Sequence, residues 1–189
     1  MDEIRDCIES RARTCIAEQR EALRSLPVYI FSATFAQEHG ELDAYRASFR
    51  ANVECKDAIE EAIADHYSDN RFDGSCVPEV VDRFGAERVS FVLANTIQHK
   101  DWDGRISTEN KDWAKNEPVP NDYDAWHGKR TVEYSCGQAH PGLINLFVNR
   151  FRKEQQLEKE KKPSVLKKLN EAKMDMPKKS PGTAKEAEL

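Results

Sequence analysis

No C-x-x-C pair occurs among the five cysteines, Cys7, Cys15, Cys55, Cys76 and Cys136, which are odd in number and scattered along 189 residues. That spacing argues against a disulfide framework and against a structural zinc site, and it predicts free thiols in a reducing compartment. No run of about 18 apolar residues could cross a bilayer. The opening Met1-Asp2-Glu3-Ile4-Arg5 has none of the apolar core of a secretory signal, so we expect a cytoplasmic protein that makes no membrane contact. Equally missing are a glycine-rich phosphate loop, an H-E-x-x-H helix and a G-x-S-x-G elbow. Nothing in the chain calls for a cofactor or a metal.

What is present is charge, and it is unevenly spread. Charged residues make up 33% and apolar residues 39%, a polar balance for a packed domain. Residues 153–189 hold ten lysines against seven acids, whereas residues 1–152 hold 27 acids against 19 lysines and arginines. An acidic body cannot replace counterions along a phosphate backbone, so broad nucleic-acid contact is disfavoured there and would have to run through the basic tail. It suits a protein partner with a basic groove.

The periodicity predicts a mainly α fold, a compact helical domain with at most a small two-stranded β element. An N-terminal helix spans residues 1–26, the helical domain 27–152, and a flexible lysine-rich tail 153–189. Residues 2–25 read as a helix with a thin apolar stripe (Ile4, Ile8, Ala12, Cys15, Leu23), ended by Pro27. Ser32 is placed to cap a short helix that Gly40 stops. A long amphipathic helix runs from Glu41 to Tyr67, with Asn52 and Lys56 falling inside its apolar stripe. Either the helix drifts there and both reach solvent, or Asn52 hydrogen-bonds a loop further on. Pro78 and Gly85 bracket another short helix. Ala86 to Lys100 is apolar round most of its circumference, which predicts a central, buried helix with Asn95 buried and paired. Residues 121–129 form a polar loop carrying Trp126 and His127. Thr131 to Ser135 alternates like a strand whose partner would be Val28 to Phe31. His140-Pro141-Gly142 opens the last core helix, burying Leu143, Ile144, Phe147 and Phe151.

The densest stretch joins the buried helix to the next one: Asn95, Gln98, His99, then Asp101-Trp102-Asp103-Gly104-Arg105, then Ser107 and Trp113. Two carboxylates, an arginine and a histidine so close together could do acid–base or metal chemistry, but only if they converge on one pocket with shifted pKa values. The structural alternative has Asp103-Gly104 making the turn, Arg105 pairing with a carboxylate, Trp102 plugging the core, Asn52 and Asn95 holding the loop, Ser107 capping a helix and Trp113 anchoring it. Under a third reading, Asp101, Trp102, Asp103 and Arg105 meet a partner. Cys136 and His140 have C-x-x-x-H spacing, but two ligands do not fill a tetrahedral site and no second pair lies near. A Cys–His nucleophile is equally unsupported by spacing alone. The lysine clusters, with Trp102, Trp113 and Trp126 as base-stacking rings, would be the route to nucleic acid.

Residues 27–152 resemble a bacterial family of unknown function, domain-of-unknown-function family 3849. The likeness is carried by Pro27 to Ser48, Ala58 to Ile63, the closing His140 to Phe147 and above all Asn95-Thr96-x-Gln98-x-Lys100-x-Trp102-Asp103-Gly104-Arg105. The resemblance implies a setting on conjugative and other mobile elements of gut Firmicutes, and no catalytic residues. Together with the acidic body it leads us to expect a non-enzymatic accessory protein that binds a protein partner and inhibits a host defence nuclease, in the manner of an anti-CRISPR protein. The alternative is a DNA-associated accessory for maintenance or transfer of the element. Partner identity and oligomeric state are not written in the sequence.

Overall fold

A computed structural model describes residues 2–118 and 134–161, with side chains for 9–118 and 134–160. Seven α-helices dominate these residues: α1 (Asp2–Ser25), α2 (Ala33–Glu38), α3 (Leu42–Asp65), α4 (Val77–Phe84), α5 (Ala86–His99), α6 (Thr108–Lys115) and α7 (Pro141–Lys161). Two short strands, β1 (Tyr67–Ser68) and β2 (Arg71–Phe72), lie between α3 and α4, and a 3-10 turn at Gly74–Cys76 leads into α4. The chain divides into two compact units, 1–155 and 156–189, and the first holds the core. Thus the mainly α expectation holds.

The core is organised on α5, where every residue from Phe91 to Ile97 is buried. A helix apolar on all sides has to be surrounded, and α5 is. Ile59 and Ile63 of α3, Val80 and Phe84 of α4, and Ile144, Phe147, Val148 and Phe151 of α7 pack around it, joined by Ile106 and Ala114. The local punctuation comes from residue chemistry. Ser32 Oγ accepts the amide of Phe35 at 3.1 Å to start α2. Gly85, at φ +81°, turns the chain from α4 into α5 in a conformation that costs a side-chain-bearing residue strain. α1 is thinly attached: Leu23 reaches the core and Arg24 pairs with Asp82 at 3.2 Å.

One expectation falls outside the described residues and two are corrected. The strand pair forms at β1–β2, antiparallel with Tyr67 opposite Phe72, around Asp69 and Asn70 at φ 50° and 58°. Both turn residues are left-handed, as a two-residue hairpin turn requires, and Asp and Asn tolerate that region. Val28 to Phe31 joins no ladder among the described residues, while Thr131 to Glu133, the loop with Trp126 and His127, and the tail from residue 162 lie outside them. The first correction concerns Asn52: it neither reaches solvent nor holds a distant loop, but is 3% exposed and accepts a hydrogen bond from Arg88. The second concerns Lys56, which stays half-buried beside Asp57 and Glu60 instead of escaping to water.

Arg88 itself is 1% exposed and touches no carboxylate among the described residues. Its guanidinium donates to Ser48 O at 3.2 Å, Asn52 Oδ1 and Leu26 O at 2.7 Å. Burial pulls its pKa below the usual value. A five-donor fork can reach both α3 and the Leu26–Pro27 bend at once, so this one side chain ties the chain's entry to the core.

Candidate functional site: the Trp-Asp-Gly-Arg turn

The turn grows directly out of α5. Lys100 N donates to Ile97 O at 3.0 Å as the helix ends, Asp103 N returns to Lys100 O at 3.0 Å, and Ile106 N to Asp103 O at 3.3 Å. Asp103 then fixes the path of the chain as far as Arg105. Its Oδ1 accepts the backbone N–H of Arg105 at 2.9 Å, and its two oxygens take the Arg105 fork at 2.9 and 2.6 Å. These bonds from Arg105, the side-chain ones foremost, hold the Asp103 carboxyl well below the usual carboxylate range, and Asp103 in turn raises Arg105. The remaining arm of Arg105 donates to His140 Nε2 at 2.8 Å, which ties the turn to the start of α7. Gly104 has no left-handed φ, and a Cβ there would meet nothing within 4 Å. Asp103, rather than the glycine, is what shapes the turn.

Trp102 does not plug the core as one reading of the sequence has it. It is 77% exposed, and Ile106, 3% exposed, occupies the apolar position from this loop. The reason is registral: the i to i+3 bonds of the turn that bring Ile106 inward direct Trp102 outward. Asp103, expected among the partner contacts, is 3% exposed and serves the turn, while Asp101 and Arg105 remain at the surface.

Beyond the turn the chain is anchored by amides. Ser107 Oγ caps α6 by accepting Asn110 N at 3.3 Å, as its position before the helix predicts. Asn110 is fully buried and donates to Asn145 Oδ1 at 2.7 Å and Asn149 Oδ1 at 2.8 Å, while its own Oδ1 accepts from Arg152. Asn145 Oδ1 also accepts Ser107 N at 2.9 Å. Gln98 Nε2 reaches Ala114 O at 2.7 Å, so α5 holds the far end of α6 too. Trp113 does anchor α6: its ring meets Phe151 edge-on at 6.4 Å, with the Arg152 guanidinium 6.0 Å from its centroid. Asn95 is 4% exposed, yet its Nδ2 finds no partner among the described residues, so it does not hold the loop.

The network residues Arg88, Asn110, Asn145, Asn149 and Arg152, and His140 as a neighbour of Arg105, were not singled out from the sequence. A signal existed for two of them: Asn145 and Asn149 are one turn apart on α7, so both meet the same face.

Both Asp103 oxygens accept from Arg105, Oδ1 twice and Oδ2 once, so this carboxylate is engaged in holding the turn. Cys136 is fully buried, its thiol pushed up to about 12 by that burial, and it lies against Thr96 rather than forming a pair with His140. Among the described residues no group of three His, Cys, Asp or Glu side chains is arranged to hold a metal ion, and no helix is long and apolar enough to cross a membrane.

A family model described as "Protein of unknown function (DUF3849)" matches residues 28–156, more than half of the chain. The chain belongs to the DUF3849 family. The DUF3849 span takes in α2 through most of α7, and therefore the whole turn and its asparagine network; α1 lies before it. No curated protein and no solved structure matches this DUF3849 chain.

Proposed function

We propose that this chain is a non-enzymatic binding protein whose Trp102, flanked by Asp101 and Arg105, is the anchor for a protein partner. The observation that carries the reading is a tryptophan 77% exposed on a turn that backbone bonds and the Asp103–Arg105 fork hold in place. A large ring left in water forgoes the stabilisation its burial would bring. On a fixed turn that ring can be buried by a partner with little further loss of entropy, and tryptophan is prominent among residues that dominate binding energies.

The mobile-element setting implied by the family resemblance supplies the kind of partner. We propose a host defence nuclease of the RNA-guided type, whose positively charged nucleic-acid channel complements an acidic body. The test is reconstituted cleavage of a DNA target by the guide-loaded nuclease of a host that carries the element. Stoichiometric chain is expected to slow cleavage, and Trp102→Ala with Asp101→Lys to restore it. If instead the chain shifts DNA in a salt-sensitive way that needs residues 153–189, and cleavage is untouched, it is a DNA-associated accessory and this proposal fails.

A further inference from the structure

We infer that a groove beside the Trp102 turn receives a lysine- or arginine-bearing segment of that protein partner, an inference that rests on reading Trp102 as an anchor. The groove, about 540 Å³, runs between α3 and the start of α7 and is lined by Asp57, Glu60, Glu61, Tyr67, His140 and Leu143. Its carboxylates are not equivalent. Glu60 is already used, accepting Gln138 N at 2.7 Å and facing Lys56 Nζ at 3.5 Å, with Lys56 also against Asp57. Glu61 is exposed and has no ion pair among the described residues, so the walls keep a net negative charge after Lys56 is counted.

Apart from Gln138, the rest of the lining is apolar or aromatic. Tyr67, 42% exposed, brings an aromatic ring to the lining and Leu143 an apolar side chain, with Leu146, 47% exposed, one turn further along α7. An alkyl stem over Leu143 with its charged head at Glu61 and Tyr67 matches how lysine and arginine lie on protein surfaces. A phosphate backbone would meet carboxylates, and an acidic segment would be repelled. The groove also adjoins the anchor. Its rim residues Ala139 and His140 are bonded on their other side to the turn, through Lys100 Nζ to Ala139 O at 3.3 Å and Arg105 Nη1 to His140 Nε2 at 2.8 Å. One partner segment can therefore bury Trp102 and reach across a two-residue rim into the groove.

The experiment uses the full chain, isotope-labelled for NMR, titrated with three probes: a peptide of alternating arginine and leucine, the same peptide with glutamate for arginine, and a short DNA duplex. Saturable shifts are expected for the arginine peptide alone, centred on Glu61, Tyr67, His140 and the Trp102 indole. Asp57→Lys with Glu61→Lys should weaken binding by about tenfold, as close charge pairs at interfaces do. Both positions are exposed, so an unchanged melting temperature confirms that these variants fold. Absence of saturable binding, equal binding of the glutamate peptide, preference for the duplex, or shifts centred elsewhere would each overturn the inference. Loss of binding in Trp102→Ala with none in the groove variant sinks the groove and leaves the anchor. The reverse pattern sinks the anchor reading and keeps the groove.

Discussion

Replacing Asn110 by alanine should be the most costly single polar change near the turn. Its Nδ2 gives two hydrogen bonds to neutral amides, at 2.7 and 2.8 Å, and its Oδ1 takes one from the Arg152 cation. Neutral bonds contribute about 1 kcal/mol each and one to a charged group about 2, so the loss is about 4 kcal/mol. In a chain of this length, where each kcal/mol moves the midpoint by about 2–4 °C, that is a drop of roughly 10 °C. Asn110→Asp should be almost as damaging. It keeps Arg152 but turns a carboxylate toward Asn145 Oδ1, and Asn145 cannot flip without abandoning Ser107 N, which it accepts at 2.9 Å. Arg152→Met, removing the bond to Asn110 along with a longer one to Glu109 O at 3.4 Å and the contact with the Trp113 ring, should cost about half as much as Asn110→Ala. Urea unfolding monitored by circular dichroism measures all three. A change of less than about 0.5 kcal/mol for Asn110→Ala, the range of ordinary surface substitutions, would refute the network as a source of stability.

Other consequences can be measured on the same preparations. Arg88→Met should destabilise by about 3 kcal/mol, because Asn52, Ser48 O and Leu26 O lose a buried donor, and pairing it with Asn52→Leu should recover part of the loss; a neutral single variant in urea would contradict this. Asp103 has a folded pKa depressed below its unfolded value, so its contribution is complete above the ordinary carboxylate range, near pH 4, and is lost as pH falls below it. The melting-temperature gap between the native chain and Asp103→Asn should therefore shrink from about pH 5 to about pH 2, and a gap independent of pH would contradict the fork.

Much of the fold was legible because helical signals are local. Ser32, Pro78, Gly85 and Ser107 act on their own or adjacent turns, and the all-round apolar pattern of α5 is enough to place it at the centre. The hairpin was not legible, since two-residue strands are too short to alternate and only the left-handed tolerance of Asp69-Asn70 marks it. In the candidate site the sequence indicates which residues matter locally but not which way they face. Asp103 and Arg105 pair two positions apart, a contact the turn chemistry predicts. Whether Trp102 or Ile106 turns inward depends on the register of the turn, which composition does not specify. Arg88 with Asn52 and Asn110 with Asn145 are 36 and 35 residues apart, joined by helix packing alone. Such partners become visible only once the helices are placed.

The central claim is that Trp102 is held out of the core to meet a partner, and stability and affinity of Trp102→Ala, measured side by side, test it most directly. With 77% of the residue exposed, stability in urea should change by no more than about 0.5 kcal/mol. Affinity for the proposed nuclease partner, read by calorimetry, should fall by about thirtyfold or more, the loss of a binding anchor worth about 2 kcal/mol or above. Stability lowered by several kcal/mol with affinity unchanged would contradict the claim and return Trp102 to the core.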